Sequence, residues 1–258
     1  MALNKLVSSA AEAVADIPKG ASLAVGGFGL AGVPAFLIEA LLNQGANDLT
    51  VVSNNCGVDG AGLGLLLEAG RIKRVIASYV GENKEFARQY LSGELTLELT
   101  PQGTLAERLR AGGCGLGAFF TPTGVGTYVA DGGLPWRYSH DGTVAVASPS
   151  KEIRKFGGKE MVLEEAIVTD YALIRASVVD KAGNCQFRLA ARNFNPPAAM
   201  AGRITVVEAE HVVEVGDLHP DAVHLPGIFV QRIVELTPEQ VARKDIEKRT
   251  TRKPAGTL

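Results

Sequence analysis

Residues 21–34, ASLAVGGFGLAGVP, constrain the fold of this chain more than any other stretch. An apolar run meets Gly26, Gly27, Gly29 and Gly32, and Pro34 follows. A short apolar run bounded by glycine reads as a buried strand. The glycines accept positive φ and allow close backbone approach, so the loop after the strand can expose its N–H groups. Pro34 suits the first turn of a helix, where its missing N–H costs nothing. Strand, glycine loop and helix N-terminus together make the anion-binding arrangement of α/β proteins. The pattern alone leaves open which anion.

The rest of the chain repeats the alternation. Residues 5–15 have the periodicity of an amphipathic helix closed by Pro18 and Gly20, and a helix follows over Ala35–Leu42. Leu49–Val52 reads as a strand running into Ser53-Asn54-Asn55, Gly60–Glu68 as a helix and Val75–Tyr79 as a strand. A helix over Asn83–Leu91, a strand over Leu95–Leu99 and a helix over Thr104–Ala111 come next. Gly112–Gly133 is glycine-rich with little periodicity, the pattern of a functional loop or lid. TVAVAS, MVLEEAIV, YALIRASVV and RITVVEAEHVVEVG add strands between 143 and 216, before LPGIFVQRIVEL closes the fold. The fold class is therefore α/β, an open, mostly parallel sheet with helices on both faces. Residues 1–236 read as one domain, and 237–258 as a polar helix with a basic, frayed tail.

Composition narrows the function. A net charge of −2 and a pI near 6.1 provide no basic surface for nucleic acid or anionic lipid. The cysteines, Cys56, Cys114 and Cys185, are odd in number and widely spaced, which fits a reduced, cytoplasmic compartment and neither a disulfide framework nor a zinc site. His140, His211, His219 and His224 lack metal-ligand spacing, and Ser53 is not in a nucleophile elbow. The N-terminal periodicity is broken by Asn4, Lys5, Glu12 and Asp16, so a secretory leader is not expected, and no apolar run is long enough to span a bilayer.

Gly27-x-Gly29-x-x-Gly32 matches the dinucleotide fingerprint in form and lies between a strand and a helix. That reading also needs an acid at the end of the second strand, for the ribose hydroxyls. Here the strand ends in Ser53-Asn54-Asn55 instead. Another ligand, a bare tight turn and, lacking that acid, a nicotinamide dinucleotide are the three readings left.

GGFGLAGVP resembles the signature of the family I coenzyme A transferases, in their α (A) subunit. Lys19 departs from it, standing where that pattern prefers Asp or Asn. VVSNNCGVD (51–59), SYVGENKEF (78–86), RQYLSGELTLELTPQGTLAERLRAGG (88–113), FFTPTGVGT (119–127) and ARNFN (191–195) extend the resemblance over most of residues 1–236. It implies a fold shared with sugar-phosphate isomerases and ping-pong transfer of coenzyme A between two carboxylates. SYVGENKEF is closer to the 3-ketoacid branch, which implies succinyl-CoA and acetoacetate, with acetate or 3-oxoadipate as alternative acids. In that family the nucleophile is a glutamate in an S-E-N-G motif on the β subunit. No such motif occurs here. The implied partner is therefore a glutamate-bearing β subunit, in a heterotetramer of two α and two β subunits. The acyl-CoA thioester and small acids are substrates, and no cofactor is held permanently. A non-catalytic binding subunit of the same fold is the reading from another class.

The resemblance also implies site residues. Gln102, in Thr100-Pro101-Gln102-Gly103-Thr104, would stabilise the oxyanion through its amide N–H, a neutral donor that forms no ion pair with a carboxylate substrate. Its alternative is a turn residue before the helix. Asn54 and Asn55 lie past the second strand, where open sheets bind ligands, and bind the keto acid, orient the nucleophilic carboxylate or shape the loop as Asx turns. The amides around Gly26, Gly27, Phe28 and Gly29 would meet the substrate carboxylate, or Phe28 would plug the core. Glu82 and Asn83 join the substrate side, Glu82 also reading as a loop acid or helix cap. Arg192 sits in ARNFN without a physical case for substrate contact, and Cys114 reads as a packed small side chain.

Overall fold

The structure is a computed structural model and describes residues 4–243. In chain order its elements are α1 (Ala10–Val14), β1 (Ser22–Val25), α2 (Ala35–Gln44), β2 (Leu49–Val52), α3 (Gly64–Glu68), β3 (Ile72–Ala77), α4 (Lys84–Leu91), β4 (Thr96–Leu99) and α5 (Gln102–Gly113). Then come β5 (Ala118–Thr121), α6 (Tyr128–Asp131), β6 (Pro135–Tyr138), β7 (Val144–Ala147), β8 (Ile153–Phe156) and β9 (Lys159–Glu165). β10 (Thr169–Asp180), β11 (Cys185–Gln186), α7 (Asn195–Ala201), β12 (Gly202–Val213), β13 (Arg232–Glu235) and α8 (Pro238–Ala242) complete the order.

The main sheet runs β13-β12-β10-β1-β2-β3-β4, with β11 on β10. Every pair along that path is parallel, and only β11 is antiparallel. Successive side chains of a strand point to opposite faces. Leu23, Val25, Val51, Val75 and Leu97 pack on one face against Leu37, Ile38, Leu41 and Phe86. Ala24, Val52, Ile76 and Ile174 pack on the other against Leu105, Leu109, Ala198 and Ala199. Each buried leucine contributes about 1.5–3 kcal/mol. The chain steps outward from β1 through β2, β3 and β4, then returns to the other side of β1 as β10. The boundary between β1 and β10 is thus a switch point, and ligand crevices form beyond the carboxyl ends of strands at such points.

Local chemistry and long-range pairing explain the departures from the sequence reading. The helix expected over 5–15 begins only at Ala10, because Ser9 accepts the Glu12 N–H as its cap. The residues before it are extended, with Leu6 bridged to Ile233. Of the strands expected between 143 and 179, only β10 joins the main sheet. β7 pairs with β6, and β8 and β9 join β5 in a small antiparallel sheet. Periodicity identifies a strand without naming its partner. The irregular stretch 112–133 contains the end of α5, β5 and α6. Cys114 is exposed at the C-terminal cap of α5, not packed. The helix expected after Thr237 is α8, opened by a capping box of Thr237 and Gln240. The basic tail lies outside the described residues.

Candidate active site

The loops following β1, β2, β3 and β4 share one edge of the sheet, because those strands are parallel. In the glycine loop after β1, Phe28 and Ala31 exchange both backbone hydrogen bonds, each 3.0 Å. That tight turn holds Gly29 at φ +59°, a conformation that side chains resist. Gly26 has no room for a side chain: a Cβ there would lie 2.0 Å from Asn195 Oδ1. The loop is clamped by the segment before α7. Asn193 Nδ2 donates to the Ala31 carbonyl at 3.0 Å, and Asn195 Nδ2 to the Gly32 carbonyl at 3.0 Å. Asn195 Oδ1 accepts from the Arg175 N–H of β10 at 3.0 Å, so the clamp spans the switch point. The loop after β2 repeats the turn, Val58 and Ala61 exchanging bonds of 3.3 and 3.1 Å. The sequence carries this echo as Gly57-x-x-x-Ala61-Gly62 beside Gly27-x-x-x-Ala31-Gly32, a local similarity that a search for long repeats misses.

The helix N-terminus beyond the glycine loop is already occupied. Glu208, on β12, accepts the N–H groups of Phe36 and Leu37 through Oε2 at 2.9 and 3.0 Å. Its side chain is fully buried, and the nearest guanidinium nitrogen, Arg175 Nη1, is 3.5 Å from Oε1. Arg175 makes closer bonds to Glu210, at 2.8 and 3.2 Å. Burial therefore outweighs the nearby charge and pushes the Glu208 carboxyl up to about 7. Helix α4 is closed in a similar way. Asn83, fully buried, accepts the Phe86 N–H at 2.8 Å and donates to the Cys56 carbonyl at 2.9 Å.

Helix α5 differs from both. Pro101 stands at its cap, and among the described residues no side chain accepts from its first turn. Gln102 opens the helix, exposed, and donates through Nε2 to Asn54 Oδ1 at 2.8 Å. The hydrogen-bond chain behind it fixes the orientation of that amide. The Gly29 N–H, which can only donate, meets Asn55 Oδ1 at 3.1 Å. The same oxygen accepts Asn54 Nδ2 at 3.2 Å. Asn54 must therefore turn Oδ1 toward Gln102, where Ser78 Oγ also reaches it at 2.9 Å. A carboxamide NH₂ carries two hydrogens. Asn54 takes one from Gln102, and the second is available.

The structure thus brings together Gln102, Asn54, Asn55 and Gly29, while Gly26 and Gly27 are buried in the support beneath them. Phe28 is half exposed, not a core plug, and its N–H is taken by Ala31. Asn83 is a buried cap. Glu82, next to it, is exposed in the loop after β3. Arg192 is exposed in a short 3₁₀ turn, and its neighbours Asn193 and Asn195 touch the glycine loop instead. Sequence reasoning missed Glu208 and Ser78. The first lies 172 residues from its partner Phe36, and nothing local marks it. Among the described residues no cluster of His, Cys, Asp and Glu could hold a metal ion, and no helix is long and apolar enough to cross a membrane.

Comparison with known proteins gives consistent matches. A family model described as Coenzyme A transferase matches residues 7–236. The chain is 62% identical over 250 residues to the α (A) chain of the probable succinyl-CoA:3-ketoacid coenzyme A transferase of Mycobacterium bovis, covering 97% of this chain and 100% of that one. It is 51% identical over 246 residues to the human mitochondrial succinyl-CoA:3-ketoacid coenzyme A transferase 2, covering 95% of this chain and 47% of that protein. Among solved structures, an acyl-CoA transferase from Escherichia coli O157:H7 superposes with a TM-score of 0.76 at 27% identity, over 93% of this chain and 48% of that chain. The chain spans about half the length of these last two proteins and the whole of the first.

Proposed function

The chain belongs to the coenzyme A transferase family, and from that premise we propose that it is the α subunit of a 3-oxoacid CoA-transferase moving coenzyme A from succinyl-CoA to acetoacetate. The nucleophile is a glutamate of a β subunit, and two α and two β chains make the working enzyme in the cytoplasm. Residues 1–236 act as one domain of it. The acid pair is supported by the names of the relatives, and the partner by the absence of S-E-N-G from this chain. The compartment is supported by cysteines that are all free.

The partner's carboxylate attacks the thioester carbonyl of succinyl-CoA and expels the CoA thiolate, leaving a mixed anhydride. The thiolate then attacks the glutamyl carbonyl of that anhydride, releasing succinate and leaving a glutamyl-CoA thioester. Acetoacetate reverses the sequence: its carboxylate displaces the thiolate, which attacks the acetoacetyl carbonyl and frees the glutamate. Every one of these steps places negative charge on a carbonyl oxygen. The observation that carries the proposal is Gln102, pinned through one N–H to Asn54 at the uncapped start of α5 and left with a second N–H to donate. Such a neutral, preorganised donor stabilises the oxyanion, and the exposed N-terminus of α5 adds its partial positive charge. Nothing in the sequence of steps calls for a bound cofactor.

Co-expression with an S-E-N-G-bearing subunit tests the proposal. A stable complex that transfers coenzyme A from succinyl-CoA to acetoacetate is expected, with no turnover by this chain alone. Robust transfer by the isolated chain overturns the two-subunit reading, and an assembled pair that prefers acetate or 3-oxoadipate overturns the acid pair.

A further inference from the structure

ARNFN is a motif of the sequence that the proposed chemistry does not use, yet it touches the site's support. Asn195 is fully buried and saturated: Oδ1 takes the Arg175 N–H, while Nδ2 serves the carbonyls of Gly32 at 3.0 Å and Ala191 at 2.8 Å. Asn193 is half exposed and does a different job. Its Oδ1 accepts the Phe194 N–H at 2.6 Å, which orders the start of α7. Its Nδ2 crosses to the Ala31 carbonyl at 3.0 Å and also meets the Ala190 carbonyl at 2.6 Å. The turn that carries it is strained. Leu189 adopts φ +49° although the residue is 84% exposed. A leucine gains nothing locally from that conformation, and such outliers persist only where the surroundings impose them.

Ala31 is the far end of the tight turn that begins at Phe28, and both of its backbone groups are bonded there. Displacing Ala31 therefore moves Phe28 and Gly29. The Gly29 N–H in turn anchors Asn55, which orients Asn54, which holds Gln102. We propose that Asn193 is a positioning residue for the reaction: its bond to the Ala31 carbonyl sets the glycine loop and, through Asn55 and Asn54, the amide of Gln102. This inference rests on the role given to Gln102 above.

The test is a double-mutant cycle in the assembled α–β enzyme, with Asn193→Asp and Gln102→Ala singly and together. Asn193→Asp keeps the shape of the side chain and the acceptor for Phe194, and replaces the donor to Ala31 and Ala190 by a carboxylate oxygen. The expected result is a fall in kcat of about tenfold, within the hundredfold that a small misplacement can cause. The KM for succinyl-CoA and the assembly of the complex stay unchanged, and Asn193→Asp adds no further loss in the Gln102→Ala background. Asn193→Gln, which retains a donor on a longer arm, recovers part of the rate. If Gln102→Ala slows the enzyme but Asn193→Asp is silent, or its loss simply multiplies that of Gln102→Ala, the positioning role is wrong. If Gln102→Ala is itself silent, the role of Gln102 fails first. Should Asn193→Asp prevent assembly, Asn193→Ala, which also lacks the donor, is measured instead, and an unaltered kcat with unaltered KM overturns the inference.

Discussion

The N-termini of α2 and α5 are built alike and used differently. Each follows a parallel strand at the same edge of the sheet, and each has a proline at the cap, Pro34 and Pro101. At α2 the first-turn N–H groups are claimed by Glu208, and the glycine loop spends its own amides on Ala31 and Asn55. At α5 no side chain among the described residues caps the helix, and Gln102 stands exposed with one N–H to spare. The lesson concerns glycine. Its density at 26–32 reports how tightly Asn193, Asn195 and Val33 press on that loop, and the open helix lies beside a sparser sequence. The acceptor that closes the first helix is one of the protein's own carboxyl groups.

Four changes separate the two ends, beginning with the largest expected effect. Glu208→Ala strands two buried N–H groups and leaves Arg175 without one of its carboxyl neighbours, which costs about 3–5 kcal/mol. A urea unfolding curve of the full chain should show that loss, and an unchanged midpoint would mean that α2 is not closed from within. Glu208→Gln refines the point through pH. The folded carboxyl is raised from 4.5 to about 7, so the folded state holds a proton that the unfolded state releases between those values. The wild-type chain should therefore lose stability relative to the Gln variant as pH rises from 4.5 to 7, by about 3 kcal/mol in all. Above pH 7 the gap should be constant. A gap that stays flat across the window would mean that burial does not hold a proton on Glu208.

The two helix starts also respond differently to a methyl group. Gly26→Ala drives a Cβ into Asn195 and should cost about 1–3 kcal/mol through displaced packing. Gly103, in the first turn of α5, has nothing within 4 Å of an added Cβ. Gly103→Ala should stabilise the fold by about 0.5–1 kcal/mol, since alanine is the better helix residue. If substrate approaches this end of α5 closely, the same variant lowers kcat/KM while raising the unfolding midpoint. A variant both more stable and fully active would argue that substrate lies elsewhere.

Much of the scaffold was legible in the sequence. The buried strands announce themselves as apolar runs such as LAV and LTVV, and the loops between them as Gly, Pro and Asn clusters. Asn54 was legible as a residue of interest because it follows the second strand, at the edge where open sheets bind ligands, whereas Gln102 was marked only by the family resemblance. What the sequence hides is pairing across distance. Glu208 reads as one polar residue inside an apolar strand, and only the arrangement β12-β10-β1 carries it to the start of α2. Asn193 belongs to a recognisable motif, but its partner, the Ala31 carbonyl, is a backbone atom that no sequence pattern marks. The small antiparallel sheets were missed for the same reason: the apolar runs of β7 and β9 show strands and leave their partners open, while the exposed IRKF of β8 carries no pattern that marks it as one.

The central claim is that chemistry sits at the α5 end and is supported by the glycine loop. The most direct measurement is the rate of coenzyme A transfer from succinyl-CoA to acetoacetate by the assembled enzyme carrying Gln102→Ala, at matched assembly and unfolding midpoint. Loss of one oxyanion donor should lower kcat by about a hundredfold to a thousandfold, with the KM for acetoacetate little changed. A kcat equal to that of the wild type would contradict the claim.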